Sequence, residues 1–128
     1  MLAFLKSLIK KYRDHRERML FPEKQIIVEF DDEIIKAERP DGTVEMVTWD
    51  ELKKFEVITT DEGPFVEDVF FVLHGNNRGC AIPQGATNVS ALLERLQQLP
   101  GFNNHAFIEA MGCTSNNRFL IWEKAGND

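Results

Sequence analysis

The side chains able to do chemistry in this chain are few and widely spread. His15, His74 and His105 are its imidazole bases, and Cys80 and Cys113 its thiols. Nucleophilic catalysis needs a Ser or Cys beside a base. By position, His74 and Cys80 face each other across one short turn and are the local pair that meets this need. A buried thiol and a turn-end imidazole account for the same two residues, because Cys is among the most buried residue types. No catalytic residue is assigned on this ground. The cysteines lie 33 positions apart with no Cys-x-x-Cys or Cys/His spacing, so neither a zinc site nor a disulfide framework is predicted.

Carboxylates are abundant, at Asp31-Asp32-Glu33, Asp61-Glu62 and Glu67-Asp68. Paired carboxylates can exchange protons or bind hard cations. An EF-hand loop, however, needs acids at alternating positions and a Glu at its twelfth, which none of these runs supplies. They read as solvated turn residues. Glycines are scattered without a dinucleotide or phosphate-loop fingerprint, so no cofactor and no metal is expected.

Charge is unevenly distributed about a net −6. Residues 1–24 hold seven Lys and Arg against Asp14, Glu17 and Glu23, whereas residues 29–68 hold fourteen acids against Lys36, Arg39, Lys53 and Lys54. Such an acidic middle repels phosphate, which argues against nucleic acid. It would instead steer a basic protein partner. The predicted contact set lies on the most acidic loop: Asp61, Glu62, Phe65, Glu67 and Asp68.

At the front, Leu2, Leu5, Leu8, Ile9 and Tyr12 recur at helical spacing among Lys6, Lys10, Lys11 and Arg13. This predicts an amphipathic helix over 1–21, stopped by Pro22. Its apolar side, Phe4, Leu5, Leu8, Ile9 and Tyr12, is a candidate contact with the protein's own sheet, with a second copy in a homodimer, or with an anionic membrane surface. The basic interruptions exclude a signal peptide or spanning helix, and reduced cysteines fit a cytoplasmic setting.

Residues 22–128 are expected to form a single α+β domain, because 128 residues support one core. Its centre is an antiparallel meander of about six strands, forming a bent sheet or partly open barrel. Ile26–Phe30 and Ile34–Arg39 read as a hairpin about Asp31-Asp32. Arg39-Pro40-Asp41-Gly42 is a turn into Val44–Trp49, with Gly accepting a positive φ. Phe55–Thr59 follows, then Val69–Leu73, whose unbroken apolar run predicts burial on both faces. Cys80–Pro83 is a short strand that Pro83 confines to a sheet edge or a strand end. A covering helix at 88–99, capped by Thr87 or Asn88, presents Val89, Leu92, Leu93, Leu96 and Leu99. A short helix over His105–Met111 and a last strand over Arg118–Glu123 complete the chain. In that strand Phe119 and Ile121 share one face, and Leu120 and Trp122 the other.

Thr59-Thr60-Asp61-Glu62-Gly63-Pro64-Phe65, Asp68–Leu73, Ile82-Pro83, Leu99-Pro100-Gly101-Phe102, Ala110-Met111 and Phe119-Leu120-Ile121-Trp122-Glu123 together resemble a group of small uncharacterised bacterial proteins. The resemblance covers about residues 26–123 and implies a bacterial cytosolic origin and no particular reaction. The strand order with its covering helix is similar to bacterial pleckstrin-homology-like domains, to which the short helix and final strand are additions.

Together these observations lead to a non-enzymatic protein-interaction module, with an immunity-type protein masking a basic toxin surface as one specific form. A peripheral membrane module using the basic helix, and a small hydrolase using loop carboxylates or Cys80, are the competing readings.

Overall fold

The structure, a computed structural model, describes residues 26–61 and 69–125. The predicted helix over 1–21, with Phe4, Leu5, Leu8, Ile9 and Tyr12, therefore lies outside the described residues, as do Glu62, Phe65, Glu67 and Asp68.

Among the described residues, seven antiparallel strands form two sheets. β1 (Ile27–Phe30), β2 (Ile34–Glu38) and β3 (Val44–Thr48) make a three-stranded sheet in that order. The second contains β4 (Lys54–Thr59), β5 (Val69–His74), β6 (Gly79–Pro83) and β7 (Asn117–Glu123), in the order β6-β5-β4-β7. The α+β class and antiparallel strand sequence are as expected. The sheets do not close into a barrel, and the last strand pairs with β4 rather than continuing the meander.

Local chemistry explains the turns. Asp31 Oδ1 accepts the backbone N–H groups of Glu33 and Ile34, each at 2.8 Å, closing the β1–β2 hairpin. Gly42 takes φ +91° and donates to Arg39 O at 2.9 Å, turning β2 into β3. Thr48 and Glu51 bond reciprocally: Thr48 N donates to Glu51 Oε2 at 2.8 Å, and Glu51 N to Thr48 Oγ1 at 3.1 Å. This capping-box arrangement fixes the turn that carries the chain from one sheet to the other.

The inner face of the three-stranded sheet, with Val28, Ile35, Ala37 and Val47, contributes to one continuous core with Phe55, Val57, Phe71, Leu73 and Ile82 of the second sheet. β5 is buried at all six positions, as its unbroken apolar run predicts. Among the described residues, two helices complete the core. α1 (Val89–Leu96) buries Val89, Leu92 and Leu96, and α2 (Asn104–Met111) packs on β7 and β4. Phe102, two positions before α2, and Phe107 within it set their rings against Phe55 and Phe71 at centroid distances of 6.1 and 6.2 Å, respectively.

Three local expectations change. α1 ends at Leu96 rather than 99, and Gln97–Leu99 continue as turns. Asn88 precedes α1 at φ +71° but does not cap it through its side chain; Asn88 Nδ2 donates to Val28 O at 3.1 Å and ties the helix start to β1. In β7 the register shifts opposite Phe55/Glu56, so Leu120 aligns with Glu56 and Trp122 with Phe55. That bulge puts Leu120 and Trp122 on opposite faces, exposing the first and burying the second.

Candidate site on the open face of the three-stranded sheet

The outer face of the three-stranded sheet is built by alternation. With Val28, Ile35, Ala37 and Val47 turned into the core, the intervening residues must face outward. The register aligns them in rows: Ile27, Glu38 and Val44; then Glu29, Lys36 and Met46; then Ile34 and Thr48. Ile27 and Val44 are 44% and 49% exposed on either side of the exposed Glu38. Lys36 Nζ stands 3.6 Å from Glu29 Oε1, a long and solvent-screened pair.

At the hairpin end this face dips into a recess of about 210 Å³ lined by Glu29, Phe30, Asp31, Ile34 and Lys36. Small-molecule sites run to roughly 300–1,000 Å³, so the recess has the scale of one side chain. Its Asp31 carboxyl is held below the usual carboxylate range by the backbone N–H groups of Ile34 and Glu33 and carries a full negative charge at neutral pH. Behind it, Trp49 Nε1 donates to Asp31 O at 2.7 Å, and the Arg95 guanidinium lies 4.6 Å from the centroid of the Trp49 ring. These contacts hold the hairpin tip against α1.

Other ionisable groups serve the fold. Glu45 and Arg39 form a buried pair at 2.9 Å beside the edge of β6, where Glu45 Oε1 accepts Ala81 N–H at 3.1 Å and Arg39 Nη2 donates to Ala81 O at 3.4 Å. The pair joins the two sheets through one residue's backbone. Glu56 Oε1 lies 2.7 Å from His74 Nε2, and both Glu56 oxygens accept from Arg118 Nη2 at 2.8 and 3.0 Å. Burial alone would raise the Glu56 carboxyl, but the His74 and Arg118 hydrogen bonds outweigh it and hold the group at about 2.

The His74 and Cys80 pairing is not formed. His74 aligns with Gly79 and Leu73 with Cys80, so His74 and Cys80 point to opposite faces of the sheet. Burial, followed by the nearby Glu45, pushes the Cys80 thiol far up, which keeps it protonated. Cys113 is the opposite case: hydrogen bonds with Ser115 and Thr59 lower its thiol. His105 is exposed at the start of α2. Among the described residues, no three His, Cys, Asp or Glu side chains gather where they could hold a metal ion, and no helix is long and apolar enough to cross a membrane.

Of the predicted contact set, Asp61 is exposed, and its N–H donates to Asn116 Oδ1 at 3.2 Å. Of the acidic run Asp31-Asp32-Glu33, Asp31 lines the recess, and Asp32 and Glu33 are exposed. The exposed apolar row was missed by sequence reasoning, although the alternation of Ile27, Glu29, Ile34, Lys36, Glu38 and Val44 with core residues carried its signal. No protein-family model matches the chain, and no curated protein or solved structure matches it.

Proposed function

We propose that the protein is a non-enzymatic binding module whose open sheet face takes a partner with a basic, partly apolar surface. The observation that carries this reading is the Ile27, Glu38 and Val44 row, in which two exposed branched side chains flank a carboxylate across all three strands. An antiparallel sheet with one face on the core leaves a polar outer face. Two large apolar residues there favour contact with another surface. The carboxylates of Glu29, Glu38, Asp32 and Glu33 give that contact its sign and would accelerate encounter with a cationic partner.

The test is an NMR titration of the labelled protein with a synthetic peptide alternating Lys and Val. Amide shifts are expected at Ile27, Glu29, Lys36, Glu38 and Val44, with affinity falling as salt rises from about 50 to 200 mM. The double variant Glu29→Gln/Glu38→Gln should bind about three- to tenfold more weakly. Shifts confined to other surfaces, or undiminished binding by the double variant, would refute the assignment.

A further inference from the structure

We infer that the recess at the β1–β2 hairpin end is the anchor point for a single arginine side chain of the partner, an inference that rests on the binding reading above. Three properties converge on this occupant. Size comes first: at about 210 Å³ the recess admits one extended side chain and not a substrate-sized molecule. Charge comes second. The lining carries two carboxylates, Glu29 and Asp31, against one ammonium, Lys36, so one incoming cation balances it.

Shape and chemistry come third. Ile34, which faces outward with Glu29 and Lys36, gives the recess an apolar wall suited to an alkyl stem. Asp31 commits Oδ1 to the turn N–H groups of Glu33 and Ile34, while Oδ2 accepts no hydrogen bond from the described residues. Among the described residues Glu29 meets one ion-pair partner, the long contact from Lys36, and its side chain is 59% exposed. Two carboxylates on separate residues suit the forked donors of a guanidinium better than the point charge of a lysine. The turn also fixes Asp31 in advance, so binding orders little that is not already ordered.

The experiment uses the full chain and three acetylated, amidated hexapeptides, Gly-Thr-X-Val-Thr-Gly, in which X is arginine, lysine or citrulline. Citrulline keeps the stem and the planar head and removes the charge. Amide shifts at Phe30, Asp31, Ile34 and Lys36 are expected with the arginine peptide, with about tenfold weaker binding for citrulline and a smaller loss for lysine. Asp31→Asn keeps the Oδ1 acceptor that closes the hairpin and removes the charge, so it should weaken the arginine peptide while leaving the melting temperature within a few degrees. Equal binding of the arginine and citrulline peptides, or shifts that bypass the recess but reach Ile27, Glu38 and Val44, would overturn the arginine anchor and leave the binding face standing. Absence of shifts from both the recess and the face would overturn both.

Discussion

The carboxylate of Glu51 occupies the space in which a Cβ on residue 75 would stand. A Cβ built on Gly75 lies 2.8 Å from Glu51 Oε1 and 2.9 Å from its Cγ and Cδ. The Glu51 side chain cannot simply swing away, because its oxygens accept Thr48 N–H, Asn76 N–H and the Arg78 guanidinium. Glycine at 75 is therefore a consequence of a carboxylate 24 positions earlier. It allows the β3–β4 turn and the β5–β6 turn to share one acceptor.

Gly75→Ala should accordingly destabilise the protein by about 1–3 kcal/mol, a core-like steric penalty at a turn. Glu51→Ala should destabilise it by a similar amount. Because both act on one carboxylate, the double variant should lose less than the two single losses combined. Urea midpoints for the three variants measure this directly, and strict additivity would contradict the shared-acceptor account.

Acid should unfold the protein in a defined window. The Arg78 hydrogen bond holds Glu51 at about 2. For Glu56, burial acts upward but the His74 and Arg118 bonds prevail, giving the same value. Both lie below the ordinary 4.5, so the unfolded chain binds more protons than the folded one between these values. Stability from these groups is thus full above pH about 4.5 and is lost as pH falls toward about 2. Glu56→Gln should flatten that decline in urea midpoints taken across the window, and an unchanged slope would count against the assignment.

The Arg39 and Glu45 pair predicts an asymmetry between single and double changes. Glu45→Ala leaves a buried guanidinium and an unpartnered Ala81 N–H, and should destabilise by about 3–5 kcal/mol. Arg39→Met/Glu45→Leu removes both charges at similar volume and should recover more than half of that loss. Circular-dichroism melts distinguish the two; equal losses would mean that the ion pair does not act as a unit.

Thiol reactivity should separate the cysteines. Cys113 is partly exposed with its thiol lowered by Ser115 and Thr59, whereas Cys80 is buried with its thiol raised. One thiol per chain should react with a disulfide reagent in the native protein, and two after denaturation. Cys113→Ser should abolish the native reaction and Cys80→Ser should leave it intact, the reverse pattern placing the accessible thiol at Cys80.

Much of the fold is local enough to read from the chain. Asp31 and Gly42 impose their turns through their own backbone geometry, and Val69–His74 signals two-sided burial through composition alone. What escapes sequence reading depends on register between distant strands. The Trp49–Leu52 turn reads as one more step of a meander, yet it moves the chain into a second sheet, where β4 lies between β5 and β7. The bulge in β7 likewise arises only where that strand meets Phe55 and Glu56. Glu56 itself left a trace, a lone charge amid Phe55, Val57 and Ile58, but its partners His74 and Arg118 lie 18 and 62 positions away. The open face was legible as alternation, although its apolar row appears only when three strands are aligned.

Trp49 gives the recess an optical reporter of its own. Its indole N–H is bound to Asp31 O, and a guanidinium lies over its ring, while Trp122 is buried with its indole N–H on Pro100 O. The two indoles therefore sit in different surroundings at separate places in the fold. A molecule that settles at the hairpin tip alters the hydrogen bond or the charge felt by the first and leaves the second as an internal reference. Occupancy can then be followed by the emission of the unmodified protein, without a label attached to the surface under study.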